Sequence, residues 1–225
     1  MIFLHQNNIE FTTLKSQCNI SRELLHWLLY FQGGSIMSAT QPVRNKHQVR
    51  ELAEFYLKRG EPRNHLLIVM GVHTALRVSD LLRIIWDDVY DFERGKFHDS
   101  ITITEKKTGK SKIITLNRAI VAALAVCGKM IKQGEFIIKS RKGGAISRIQ
   151  AYRIIRAAAE ALDIQHRVSC HSLRKTFGYH AWKSGVSPVV IMEIYNHSSF
   201  AVTRRYLGVT QDEKDDVYRK LADCV

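Results

Sequence analysis

Apolar residues recur at helical spacing over most of the chain from residue 45 onward, and the period changes only once. Val49, Leu52, Phe55 and Tyr56 fall on one face of a helix that Asn45 can cap and Gly60 can close. Pro62 suits a first helical position, and residues 66–76 are apolar enough for a buried helix. Ser79 can cap the next helix, with Asp80 in its first turn and Leu81, Leu82 and Ile85 as its apolar positions. That puts Arg77 in the turn between two helices. Between residues 92 and 116 the spacing falls to two. Ile101 and Ile103 alternate with threonines, Lys106-Lys107-Thr108-Gly109-Lys110 makes a tip, and residues 113–116 return. The pattern predicts a β-hairpin with a third strand near residues 96–98. A helix over 119–132, a short strand at 136–138 and a turn at Gly143-Gly144 follow. Ser147 starts another helix, with Ile149, Ile155, Ala159 and Leu162 facing inward. Further helices are expected over 171–184, 188–195, 199–206 and 212–221. The fold class is mainly α with a small antiparallel β-sheet, and no internal repeat is visible.

Residues 1–36 have a different texture. The stretch from Leu24 to Phe31 is apolar but too short to span a bilayer, and it lacks the basic start and small-residue cleavage site of a signal peptide. Gln32-Gly33-Gly34 can be encoded by a purine-rich stretch containing GGAGG, which in a bacterium would be a ribosome-binding site just upstream of Met37. The segment is therefore expected either to lie outside the native protein, with translation starting at Met37, or to form an accessory amphipathic helix.

Composition narrows the partners. With 45% hydrophobic residues and only three prolines, 225 residues can build a real core. Thirty-four Lys and Arg against 21 Asp and Glu give a formal charge of +13. Such a surplus favours a polyanion, because each cation meeting a phosphate releases a counterion. Cys18, Cys127, Cys170 and Cys224 form no C-x-x-C pair, which suits a reduced cytoplasm. No H-x-x-x-H or H-E-x-x-H spacing falls on a predicted helix, so no metal site is expected.

Phosphate chemistry needs cations for the nonbridging oxygens, a proton donor for the leaving oxygen and a nucleophile. His171 and Arg174 stand three apart, on one helical turn. Arg77 sits at a helix break, Lys107 at a hairpin tip, and Tyr206 follows His197 by nine residues. Each alone has a plainer explanation: a solvated helix face, a solubilising turn lysine, a packed tyrosine, or an arginine paired with Asp80 or Asp87.

Their order changes the picture. The chain reads Leu76-Arg77-Val78-Ser79-Asp80-Leu81-Leu82, then Lys107-Thr108-Gly109, then His171-Ser172-Leu173-Arg174-Lys175-Thr176, then Asn196-His197-Ser198-Ser199, then Thr203-Arg204-Arg205-Tyr206. This series resembles the phage-integrase family of tyrosine recombinases over about residues 45–210. The resemblance implies the integrase catalytic-domain fold and a site-specific recombinase that cuts and rejoins double-stranded DNA through a 3′-phosphotyrosyl intermediate. It implies that Arg77 and Arg174 clamp the scissile phosphate, Lys107 protonates the departing 5′ oxygen, with Lys106 and Lys110 as competitors, His171 moves a proton, His197 bonds a phosphate oxygen, and Tyr206 is the nucleophile. Neither ATP, metal nor other cofactor is implied.

The chain departs from the family at Tyr195-Asn196-His197, where Leu-Gly-His is common, and in having too few residues before Asn45 for an N-terminal DNA clamp. It is thus similar to catalytic-domain-only members of the size of fimbrial-switch recombinases. Residues 37–210 would form the catalytic domain. Residues 211–225 would form a C-terminal helix, packing on a neighbouring protomer or back on its own domain. Self-association as a tetramer on DNA and accessory DNA-bending proteins are the partners implied, in the cytoplasm and without a membrane. Two rivals remain: a non-catalytic regulator reading residues 188–206 as helix-turn-helix, and a relaxing type IB topoisomerase using the same chemistry.

Overall fold

Helix α1 (Lys46–Glu54) starts where expected, because the Asn45 side chain accepts the His47 N–H at 2.8 Å. In this computed structural model residues 40–207 and 218–219 are described, so the expected helix over 212–221 and the segment 1–36 lie outside them except for residues 218–219. Helix α1 ends at Glu54, and residues 55–60 continue as turns. Helix α2 (Pro62–His73) has proline in its first turn and is buried from Asn64 to Val72. It is the central rod of the fold, packed by α1 and by α5 (Arg118–Val126), α6 (Arg148–Ala161) and α7 (Cys170–Lys183). Gly71 permits the α2–α7 approach: a Cβ there would stand 2.6 Å from Leu173 Cδ1.

Helix α3 (Val78–Leu81) is capped by Arg77, not Ser79. The Arg77 backbone is extended and its carbonyl already accepts from Asp80 and Leu81, which leaves Ser79 inside the first turn. Helix α4 (Trp86–Val89) then leads into β1 (Tyr90–Asp91), which pairs with β2 (Lys96–Phe97). The strand expected to join the hairpin therefore belongs to a separate two-stranded sheet. The cause is local. Asp91 accepts from the N–H groups of Glu93 and Arg94, and Gly95 adopts φ +64°, so the chain doubles back at once.

The predicted hairpin is β3 (Ser100–Thr104) with β4 (Ser111–Thr115), in a register that sets Ile101 against Ile114 and Ile103 against Lys112. Residues 136–138 form no strand. Phe136 makes a single bridge to Ile85, and the buried Ile137 and Ile138 fill the core without a ladder. The helix expected over 119–132 is α5 followed by one 3₁₀ turn at Gly128–Met130. In α6 the inward stripe is Ala151, Ile154, Ile155, Ala158 and Ala159, while Ile149 is 64% exposed. Six residues before Ile155 is roughly 240° around the helix, so the two could not share a face.

Helices α8 (Pro188–Ile194) and α9 (Phe200–Leu207) pack on α7 around a second, smaller apolar cluster of Ala75, Ile191, Tyr195 and Leu207, with Phe177, Trp182 and Tyr206 against it. Tyr195 is fully buried and fits only because residue 178 is glycine: a Cβ there would stand 2.4 Å from the Tyr195 hydroxyl. Gly178→Ala is expected to lower stability by about 1–3 kcal/mol, as overpacking of a close-packed site does. Urea unfolding measures it, and an unchanged midpoint would contradict this packing.

Candidate active site

Arg174 is 1% exposed, and a buried guanidinium needs acceptors. Its NH1 donates to the Ala75 carbonyl and its NH2 to the Tyr195 carbonyl at 3.0 Å. Tyr195 answers by donating its hydroxyl to the Arg174 carbonyl at 2.6 Å, and the guanidinium carbon lies 4.6 Å from the Tyr195 ring centre. Both acceptors sit at turns with left-handed backbone, Ala75 at φ +55° and Asn196, after Tyr195, at φ +53°. Asparagine tolerates that conformation better than most side chains. The departure from Leu-Gly-His thus keeps the turn and leaves His197 on the site.

Arg77, at the α2–α3 break, donates from NH1 to Glu105 Oε2 at 2.7 Å. It pairs with neither Asp80 nor Asp87. Asp80 instead accepts the Lys106 N–H, and Asp87 accepts the Gly134 N–H. Glu105 is fully buried at the end of β3, and its Oε1 lies 3.7 Å from Lys112 Nζ and 3.8 Å from Arg174 NH1. Burial pushes the Glu105 carboxyl upward, but hydrogen bonds from Arg77 and Thr108 and the charges of Arg77 and Lys112 outweigh it and hold the group below its ordinary range. Lys112 is 11% exposed, donates to the Ile194 carbonyl at the end of α8, and is lowered to about 8 by burial and by Arg174.

Tyr206 is half-buried on α9, with its ring 5.0 Å from His171, 4.7 Å from His197 and 5.0 Å from Tyr195. The Arg174 guanidinium carbon is 5.9 Å from that ring centre and Lys175 Nζ is 5.8 Å. His171 stands in the first turn of α7, whose cap is the Ser169 hydroxyl accepting from the His171 N–H. His197 stacks on Tyr195 and shares a 3.0 Å hydrogen bond with Thr203. Burial, then Arg174 and Arg77, lower the His197 imidazole to about 4. His171 keeps an exposed edge, yet the protein around its ring and then Lys175, Arg174 and Arg77 lower it too.

Five of the six expected site residues thus converge: Arg77, His171, Arg174, His197 and Tyr206. Lys107 stands apart, exposed at the hairpin tip beside equally exposed Lys106 and Lys110. Sequence reasoning missed Glu105, Lys112 and Tyr195. Glu105 carried a signal as the only acidic residue from 100 to 134. Lys112 carried another, two residues from Ile114 on the same hairpin face. Among the described residues no three His, Cys, Asp or Glu side chains converge as metal ligands, and no helix is long and apolar enough to cross a membrane.

The phage integrase family model matches residues 43–213. The chain belongs to that family, the tyrosine recombinases, which are site-specific DNA strand-exchange enzymes. Among its relatives, the Bacillus subtilis (strain 168) probable integrase/recombinase YoeC is 34% identical over 184 residues, 81% of this chain and 97% of that protein. The Mycobacterium tuberculosis tyrosine recombinase XerD is 28% identical over 156 residues, 66% of this chain but 48% of that protein, so the chain spans about half the length of that relative. Among solved structures, XerA recombinase superposes with a TM-score of 0.66 at 20% identity, covering 81% of this chain and 64% of XerA. XerH bound to palindromic difH substrate in a post-cleavage complex gives 0.65 at 18% identity, covering 81% and 54%. The fold is that of tyrosine recombinase catalytic domains. A helix-turn-helix regulator is not favoured: α8 and α9 turn His197 and Tyr206 toward Arg174 instead of presenting a free recognition helix.

The lowered His197 fixes the sign of an acid effect. Unfolded, the imidazole titrates near 6.5, so between about 6.5 and 4 the unfolded chain binds a proton that the folded one does not. Stability from this group is complete above about 6.5 and is lost as pH falls toward 4. The urea midpoint should drop from pH 7 to pH 5, and His197→Gln should shrink that drop. Equal drops in both proteins would contradict the assignment.

Proposed function

We propose that this constellation carries out DNA strand transesterification with Tyr206 as the nucleophile. The observation that carries the reading is the packing of the Tyr206 ring against the rings of His171 and His197, with its centre 5.9 Å from the guanidinium carbon of a buried arginine. The Tyr206 oxygen attacks a phosphodiester, a P–O(Tyr206) bond forms as the P–O5′ bond breaks, and a 3′-phosphotyrosyl link and a 5′ hydroxyl result. Arg77 and Arg174 hold the nonbridging oxygens, where charge grows in the pentacoordinate transition state. Arg174 Nε, buried and without a hydrogen-bond partner among the described residues, is a donor left for such an oxygen. His171 takes the phenol proton. The cations that lower its proton affinity are offset when an anionic phosphate arrives, so it becomes a better base as substrate binds. His197 donates to a phosphate oxygen, and Lys107, carried on the hairpin, gives its proton to the departing 5′ oxygen. A 5′ hydroxyl from another strand reverses these steps, and the ester bond is conserved without ATP.

Residues 37–210 are the catalytic domain on this reading, double-stranded DNA is the partner, and the cytoplasm is where they meet. Exchange between two duplexes breaks four strands with one tyrosine each, which supports a tetramer on DNA. The segment 211–225 would link neighbouring protomers, and DNA-bending proteins would be accessory partners. The formal charge of +13 supports the DNA partner.

A nicked suicide duplex bearing the target site should trap an SDS-resistant protein–DNA adduct. Tyr206→Phe is expected to abolish the adduct while DNA binding persists, and an undiminished adduct would refute the nucleophile. Arg174→Ala should slow adduct formation at least about a hundredfold, as loss of one transition-state donor does. A type IB topoisomerase would instead relax supercoils at any sequence and yield no recombinants. Binding should weaken with salt at a log–log slope of about −0.9 per phosphate contacted.

A further inference from the structure

The expected proton donor sits on an exposed hairpin tip, and the expected arginines sit on helices, Arg174 buried in α7 and Arg77 half-buried at the cap of α3. Something must hold these two parts in register, because a proton transfer needs its donor placed within hydrogen-bond reach. Among the described residues Asp80 ties the turn to α3 by accepting the Lys106 N–H at 2.9 Å, and Glu105 is the side chain that bonds both an arginine of the pair and the turn that holds Lys107. Glu105 accepts from Arg77 NH1 at 2.7 Å and, through the same oxygen, from the Thr108 hydroxyl at 2.9 Å. Thr108 is the neighbour of Lys107 in the turn. The Glu105 backbone closes that turn as well, since its carbonyl accepts the Gly109 N–H at 2.9 Å and its N–H donates to the Lys110 carbonyl at 3.0 Å. Its second oxygen has no hydrogen-bond partner among the described residues and lies 3.7 Å from Lys112 Nζ and 3.8 Å from Arg174 NH1.

A fully buried carboxylate is tolerated only when cations and donors compensate it, so its position is dictated by them, and theirs by it. Moving the turn by an ångström would either break the Thr108 bond or drag Arg77 with it. Lys112 strengthens the linkage from the other side by fastening β4 to the carbonyl end of α8, the helix that precedes His197.

Resting on the reading of Lys107 as proton donor, we propose that Glu105 is a positioning residue that couples the hairpin lysine to the arginine pair through Thr108 and Arg77. It also sets the charge of the site. One carboxylate among Arg77, Arg174 and Lys112 leaves a smaller positive excess, so its loss strengthens attraction for ground-state phosphate while misplacing the groups that act in the transition state. Binding and cleavage then change in opposite directions, which loss of folding cannot produce.

The test uses the full chain in single-turnover cleavage of a nicked suicide duplex, with either a normal 5′ oxygen or a 5′-bridging sulfur at the scissile phosphate. A thiolate departs without a donated proton, so the sulfur substrate bypasses whatever positions the proton donor. Glu105→Gln and Thr108→Val should each slow cleavage of the oxygen substrate at least about tenfold, a fraction of a full general-acid contribution. DNA binding by Glu105→Gln should be equal or tighter. The sulfur substrate should restore Thr108→Val to about the wild-type rate, and Glu105→Gln only in part because Arg77 has also lost its anchor. Wild-type rates on the oxygen substrate, or a Thr108→Val defect that persists on sulfur, would overturn the coupling, as would binding and cleavage falling together. Should Glu105→Gln fail to fold, Thr108→Val decides alone. Lys107→Ala separates the two levels: without sulfur rescue of that variant, the reading of Lys107 fails and the coupling with it. With rescue of Lys107→Ala and no defect in Thr108→Val, only the coupling fails.

Discussion

Burying a guanidinium removes several hydrogen bonds to water, and the chain must return them from fixed positions. For Arg174 the positions are two backbone carbonyls, Ala75 just after α2 and Tyr195 just after α8, about a hundred and about twenty residues away in sequence. Each acceptor lies in a turn containing a non-glycine residue with positive φ, a conformation that costs on the order of 1 kcal/mol or more. Charge-assisted hydrogen bonds offset that strain, and strain of this kind persists only where the surroundings over-determine it. The same bonds decide the layout of the site. Arg77 follows Ala75 by two residues and His197 follows Tyr195 by two, so fixing Arg174 fixes both neighbours.

This arrangement is a poor way to gain stability. Arg77, Arg174 and Lys112 crowd one carboxylate, Lys175 stands nearby, and two histidines are driven toward their neutral forms. Pairs this buried rarely repay their desolvation, and apolar packing of similar volume would often do as well. The excess of positive charge is useful only to an anion that enters the site. On the proposed reading that anion is a phosphate that gains charge in the transition state, where preorganised cations act most strongly.

Much of this was legible in the chain. The helix starts at Asn45, Pro62 and Ser147, the break at Arg77 and the 100–115 hairpin follow from caps and periodicity, because those signals act within a few residues. The order of the arginines, histidines and tyrosine pointed to side chains that the fold brings together. What was hidden depended on contacts between distant segments. Two misses were local all the same: the turn from Asp91 to Gly95 pairs Lys96 with Asp91 instead of the hairpin, and Arg77 took the cap position ahead of Ser79. Ile149 was misplaced through an error of helical phase. Glu105 and Lys112 could have been found by parity and by charge isolation, but their partners Arg77 and Ile194 lie 28 and 82 residues away. The substitution of Tyr-Asn for Leu-Gly became intelligible only with Gly178, whose missing Cβ makes room for the Tyr195 ring.

The two halves of the chemistry are held with unequal firmness, and the difference follows from burial. Arg174, one of the two arginines of the proposed clamp, is fixed on α7, which packs on the central rod of the main core at the Gly71–Leu173 approach. The tyrosine rides on α9, whose fully buried described side chains are only Thr203 and Leu207, and which belongs to the small cluster around Tyr195. A segment's local opening free energy rises with the apolar contacts it buries, so α9 can shift or detach at far smaller cost than α7. For a hydrolase such looseness would be a defect. For the reaction proposed above, in which one phosphate stays in place while the oxygen attached to it changes from one strand to another, firm cations and a loosely held Tyr206 suit the exchange.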